Sequence, residues 1–160
     1  HCPWETLMPL YLVRHGEAYS ETVDPDRSLT EQGKAIVADM AQMAASLNVP
    51  VSQVLHSTRT RARETAHIFS NYLKPTGGAK EIKGLLPYDD ITKIMPELDP
   101  SLNLMMVGHL PFLERLASCL VAGSPDTPLI KFQTGGIVCL DRMEKNGPWH
   151  IQWALMPEMV

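Results

Sequence analysis

Cysteine is scarce in this chain: Cys2, Cys119 and Cys139 are the only three among 160 residues, and no CxxC spacing occurs. That excludes a disulfide framework and a thiolate-built zinc site. Cys119 and Cys139 lie in apolar runs and read as buried free thiols of a reducing, cytoplasmic compartment. Basic charge is in deficit too, with Lys plus Arg at 14 against Asp plus Glu at 18. A nucleic-acid partner would call for a basic surplus or stripe, so none is expected. No apolar stretch approaches the ~20 residues that span a bilayer, which excludes a membrane span. Neither GxGxxG nor GxxxxGK(S/T) is present, which argues against a nucleotide-binding enzyme. No His/Cys/Asp cluster has metal-ligand spacing, so neither metal nor cofactor is expected. Oligomeric state is left open.

What is present is an ordinary globular balance, 44% apolar and 20% charged. Residues 1–8 have neither the basic start nor the apolar stretch of a signal peptide. They read as an unstructured tail or an expression remnant, with Met8 a plausible start and residues 9–160 forming one domain. Apolar runs then alternate with helical patterns, the mark of βαβ units around a mainly parallel sheet. Strands are expected near Leu10–Val13, Val54–His56 and Leu104–Val107, with an edge strand from Glu81 to Gly84. Tyr19 to Ser28 is a loop. Thr30 caps a helix to about Leu47, with a core stripe of Ile36, Met40, Met43, Ala44 and Leu47. Ser57 or Thr58 caps a second helix, a short one covers Ile91 to Leu98, and Pro111 opens a fourth. Gly136–Asp141 and Trp149–Leu155, joined through Asn146-Gly147, read as an antiparallel hairpin.

Two strand-like runs stop abruptly on histidine: Leu10-Tyr11-Leu12-Val13 at Arg14-His15-Gly16-Glu17, and Leu104-Met105-Met106-Val107 at Gly108-His109. In open α/β sheets the carboxyl edge of the strands is where ligands bind. Phosphoryl transfer asks a protein mainly to position groups and to neutralise charge on the equatorial oxygens. Arginine suits the second task, since its planar fork donates bidentate hydrogen bonds and keeps its charge. A neutral imidazole aimed at phosphorus can be the nucleophile, and a second imidazole can hold the migrating group. Arg14, His15, Arg61 and His109 are the candidate parts, with Gly16 and Gly108 allowing close backbone approach. On a helix residues four apart share a face, so Arg59 and Arg63 are expected to point together, solvated or touching acidic residues on a partner, with Arg61 nearly opposite above Thr65. Taken alone, His15 or His109 would pass for an ordinary strand-end histidine. His56, His67 and His150 are expected to be structural.

Arg14-His15-Gly16-Glu17, Leu29-Thr30-x-x-Gly33, Ser57-x-x-x-Arg61-Ala62-x-x-Thr65-Ala66 and Gly108-His109 resemble, in order, the pattern of the histidine phosphatase superfamily. Leu85-Leu86-Pro87-Tyr88-Asp89-Asp90, Val107-Gly108-His109-Leu110-Pro111 and Phe132-Gln133-Thr134-Gly135-Gly136 make the resemblance closer to its small SixA-type phosphohistidine phosphatases. The resemblance spans about Pro9 to Leu155. One departure is Ser57-Thr58 where the family often has Ser-Pro. It implies a phosphoglycerate mutase-like three-layer α/β fold and metal-free catalysis. By motif, His15 is the nucleophile that becomes phosphorylated, and Arg14, Arg61 and His109 form the phosphate pocket. Gly16 and Thr134 are further substrate-binding candidates. Asp89 or Asp90 is the candidate acid, Asp89 preferred. Larger relatives carry an inserted helical region; here only Leu85 to Leu98 stands in its place. The open site this implies would admit a phosphohistidine on a signalling or phosphorelay protein. The rivals are a small-molecule phosphomonoesterase of the same fold and a non-catalytic phosphate-binding module.

Overall fold

The apolar run Leu10–Val13 is buried on both faces, as a strand covered by helices on each side must be. In the computed structural model, which describes residues 5–160, it lies in β1 (Leu10–Arg14), inside a six-stranded sheet. The other strands are β2 (Gln53–His56), β3 (Ala79–Glu81), β4 (Leu104–Gly108), β5 (Ile137–Asp141) and β6 (His150–Leu155). Their order is β3-β2-β4-β1-β5-β6; the first three pairings are parallel and the last two antiparallel. The helices are α1 (Glu31–Ser46), α2 (Thr60–Leu73), the single turn α3 (Ile91–Ile94) and α4 (Phe112–Ala122).

Side chains alternate across β1 and so divide the core in two. Tyr11 and Val13 join Val37 and Met40 of α1 and Phe69 of α2 on one face. Leu10 and Leu12 join Ile91 of α3 and Phe112, Leu113 and Leu116 of α4 on the other. Adjacent strands β1 and β4 therefore send their following helices to opposite faces. That reversal opens a crevice at their carboxyl ends, where α/β sheets bind ligands.

Several sequence expectations need adjusting. The buried face of α1 is Gly33, Val37, Met40, Ala41 and Ala44, a stripe turned by about one residue from the expected one. Gly33 fixes that rotation, because a Cβ there would lie 2.2 Å from the Glu17 carbonyl oxygen. Helix α2 begins at Thr60 rather than after a Ser57 or Thr58 cap; Arg59 precedes it without a side-chain cap bond. Strand β3 ends at Glu81, ahead of the positive φ of 96° at Gly84. The expected helix to Leu98 is α3 followed by a 3₁₀ turn, Met95–Glu97. Of the residues expected to form a tail, Leu7 and Met8 donate their amides to the Asp141 carboxylate, fastening the chain ahead of β1 to the end of β5. Cys2 and residues 1–4 lie outside the described residues. Among those described, Cys139 is buried, Cys119 half-buried, both are free, and no helix is long and apolar enough to cross a membrane.

Candidate active site

The register of β1 against β4 pairs Arg14 with Gly108, which brings the next residues, His15 and His109, together. The His15 amide donates to the Gly108 carbonyl at 3.0 Å. Their ring centroids stand 5.1 Å apart, tilted by 55°. The loop before β5 closes one side: the Gly135 amide, at a left-handed φ of 80° that favours glycine, donates to the Arg14 carbonyl at 2.8 Å. Thr134 stands next to it in that turn.

Hydrogen-bond partners set the two imidazoles in opposite roles. His15 Nδ1 lies 2.8 Å from the Gly16 carbonyl. A carbonyl only accepts, so Nδ1 carries the proton and Nε2 keeps its lone pair. His109 Nε2 lies 2.7 Å from Ser57 Oγ, which also accepts the Arg59 amide at 3.3 Å. A hydroxyl has one donor and two acceptor lone pairs, so Ser57 can donate to Nε2 while accepting that amide. His109 Nδ1 is buried with no partner among the described residues. His15 presents a lone pair at Nε2, and the tautomer of His109 whose Nε2 accepts from Ser57 presents a free donor at Nδ1. Both rings are held neutral. Burial lowers the His15 pKa to about 4, with Arg61, Arg14 and Arg27 adding to the effect against the Gly16 bond. Burial lowers that of His109 to about 3, reinforced by His15, Arg61, Arg59 and Arg27.

The arginines are pinned from behind. Arg14 Nη1 donates to the Phe132 carbonyl at 3.0 Å, leaving its buried Nε without a partner. Arg61 sits in the first turn of α2, where its carbonyl accepts from Thr65 Oγ1 at 2.8 Å; its Nε is likewise buried and unpartnered. The same Thr65 hydroxyl oxygen accepts the Gly16 amide at 2.9 Å. The Gly16 amide is thus taken by Thr65 and its carbonyl by His15, so Gly16 orients the His15 ring. Both arginines act on His15, and buried guanidinium N–H groups without partners are what an oxyanion would satisfy.

A cavity of about 460 Å³ opens beside Ser57, lined among others by Thr58, Lys83, Leu86, Asp89 and Lys93. Asp89, in that lining, accepts the Leu86 amide at Oδ2 at 2.9 Å. Asp90 instead caps α3, accepting the Thr92 amide and hydroxyl, bonds that hold its carboxyl below the usual range. A larger cavity of about 640 Å³ lies along α4 between Arg115 and Lys131 and includes neither ring. Among the described residues no group of His, Cys, Asp and Glu is arranged to hold a metal.

Three contributors escape a reading by motif. Ser57 looks like a helix cap but holds His109. Arg59 is not on the helix, so helical spacing does not turn it away with Arg63; its charge reaches His109 and Arg61. Arg27 comes from the Tyr19–Ser28 loop and acts on His15, His109 and Arg61.

Residues 10–83 match the histidine phosphatase superfamily (branch 1). An uncharacterized protein of Picosynechococcus sp. is 32% identical over 127 residues, covering 72% of this chain and 74% of that protein. The chain belongs to the histidine phosphatase superfamily. Its fold, the phosphoglycerate mutase-like one expected, is similar to that of the protein histidine phosphatase SixA complexed with tungstate. That similarity has a TM-score of 0.83 at 24% identity over 95% of this chain and 99% of the other. It is also similar to a mycobacterial glucosyl-3-phosphoglycerate phosphatase in complex with VO3. There the TM-score is 0.68 at 14% identity, over 90% of this chain and 97% of the other.

Proposed function

We propose that the chain is a metal-independent phosphohistidine phosphatase of the SixA type, acting through a phosphohistidine formed on His15. The observation that carries this reading is the pair of adjacent rings, with a lone pair on His15 Nε2 and a buried, unpartnered His109 Nδ1 placed to donate to a phosphoryl oxygen. In the first step Nε2 attacks phosphorus, the N–P bond forms, and the bond to the leaving group breaks. Arg14, Arg61 and the His109 N–H take up charge on the equatorial oxygens, and Thr134 borders the bound group. In the second step water attacks the phosphorus, orthophosphate departs, and Nε2 recovers its lone pair. Asp89 is the group that passes a proton to the leaving atom and takes one from water.

A phosphohistidine leaves as an imidazole whose nitrogen accepts that proton readily, so it relies less on a positioned acid than an alkyl ester does. The short α3 and its 3₁₀ turn are all that stands between β3 and β4, and no longer helix roofs the crevice. Both features support a protein-borne substrate, with the free thiols of Cys119 and Cys139 supporting a cytoplasmic site of action. The cavity beside Ser57 favours a second reading, a phosphomonoesterase whose small leaving group sits there. Comparing kcat/KM for a phosphohistidine-bearing protein and for small phosphate esters separates the two. Faster turnover of the phosphoprotein is expected; faster ester hydrolysis would favour the second reading. Phosphate binding without release from any aryl phosphate would mean a binding module.

A further inference from the structure

We propose that Arg27 and Arg59 form a second anion subsite at the mouth of the phosphate pocket, which takes an acidic side chain flanking the phosphohistidine of the substrate protein. The inference rests on the phosphohistidine phosphatase reading for the identity of that substrate, but the subsite itself is defined by this chain's own residues.

Arg27 is presented by a built loop. The Tyr19 amide donates to the Ser28 carbonyl at 2.9 Å, next to the Ala18–Leu29 bridge that closes the loop directly after His15-Gly16-Glu17. The Asp24 carboxylate accepts the Asp26 and Ser28 amides and the Ser28 hydroxyl. Within this frame Arg27 adopts φ 51°, a left-handed conformation uncommon for a side-chain-bearing residue and worth explaining where it occurs. Its Nε donates to the Tyr19 carbonyl at 2.9 Å, which fixes the guanidinium plane and leaves both Nη groups without a protein partner. Arg59 is tied to the site from the other side, since its own amide donates to the Ser57 oxygen that holds His109. Its side chain is exposed.

Charge balance points to a second anion. Arg14, Arg27, Arg59 and Arg61 carry four positive charges around two neutral imidazoles, and none forms a salt bridge among the described residues. Glu21 is the acidic side chain that acts on Arg61. A bound phosphoryl dianion answers two of the four charges. Arg14 and Arg61, with their unpartnered buried Nε atoms, lie deepest and meet that dianion first. The surplus stays with Arg27 and Arg59, whose charges act on Arg61 against the opposing Glu21 and would be answered by a second anion. Planar, forked donors with free Nη groups suit a carboxylate.

The test pairs two non-hydrolysable probes that differ by one carboxylate, methylphosphonate and phosphonoacetate. Titration calorimetry on the whole chain should give phosphonoacetate about tenfold tighter binding, the product of two partly exposed charge pairs. Arg59→Gln should cut that preference to about threefold and the Arg27→Gln/Arg59→Gln double variant to about parity, with methylphosphonate changing little. Arg59 is exposed, so its variant reports even if the Arg27 change loosens the loop. Arg63→Ala, which removes a charge outside the cluster, should keep the wild-type preference. Equal binding of the two probes by the wild type, or the same loss in Arg63→Ala, would overturn the subsite. A second arm compares phosphohistidine peptides carrying Glu or Gln beside the phosphorylated residue. Higher kcat/KM for the Glu peptide, lost in Arg59→Gln, identifies the occupant, and equal turnover refutes it. No turnover of either peptide beside an intact phosphonoacetate preference would instead overturn the phosphohistidine reading and leave the subsite to a small acidic phosphate ester.

Discussion

Strands β1 to β4 run the same way, whereas β5 runs against them and β6 turns back again, and the two halves of the sheet do different work. The parallel half stacks its carboxyl ends along one edge, so that Arg14, His15, Ser57 and His109 meet although 94 positions of sequence separate the two histidines. From the antiparallel half the turn before β5 reaches that edge, where Gly135 clamps the end of β1. Strand β5 itself supplies core: every residue of it is buried. The βα connections of the parallel half decide where the site gathers, because they bring the strands' carboxyl ends and following loops to one edge.

The contrast predicts that changes at the edge cost turnover and changes in the hairpin cost stability. The largest effect belongs to His15→Ala, expected to lower kcat/KM at least about a thousandfold in steady-state assays while leaving thermal unfolding near the wild-type midpoint. Leu140→Ala, in β5, should do the reverse. It removes about 2–5 kcal/mol of stability in denaturant unfolding, with kcat/KM of the folded enzyme within about twofold. Gly33→Ala would blur the division, since a Cβ against the Glu17 carbonyl disturbs both α1 and the loop after His15, and both readouts should fall. Ser57→Ala is milder, an expected loss of about tenfold in kcat with little change in stability, because His109 loses the hydroxyl that holds its Nε2.

A further contrast lies in pH dependence. A histidine whose pKa is lower in the folded than in the unfolded chain binds its proton more readily when unfolded, so stability rises with pH between the two values. Relative to the neutral range, the apo protein should therefore lose stability as pH falls below 6.5 toward about 4 for His15 and about 3 for His109. Proton NMR titration of the two rings checks the values directly, and saturating tungstate, an added negative charge, should raise both. Imidazoles titrating near 6.5 would remove the neutral-pair basis of the mechanism.

Much of this was legible in residues that end strands. Arg14-His15 and Gly108-His109 follow apolar runs too long and too uniform for half-exposed strands, which fixes both burial and the edge at which the runs stop. The pairing of β1 with β4 in register then follows from parallel topology. For Arg59 and Ser57 the helical period carries no information, because both precede the helix. Arg59 precedes α2, so spacing from Arg63 says nothing about its direction, and Ser57 is drawn from capping duty by His109. Arg27 lies in a polar loop whose fold depends on Asp24 and the Ala18–Leu29 bridge, contacts no periodicity encodes. The α1 stripe shifted because Gly33 must approach the Glu17 carbonyl, a tertiary constraint.

The tautomer of His15 is the centre of the account, and the position of the phosphoryl group on its ring reports it. Rapid quench with an activated phosphate donor, followed by alkaline digestion, resolves Nε2- from Nδ1-phosphohistidine by phosphorus NMR. The bond from Nδ1 to the Gly16 carbonyl predicts phosphorylation on Nε2 alone, absent in His15→Ala. Phosphate on Nδ1, on another residue, or undiminished in that variant would contradict it.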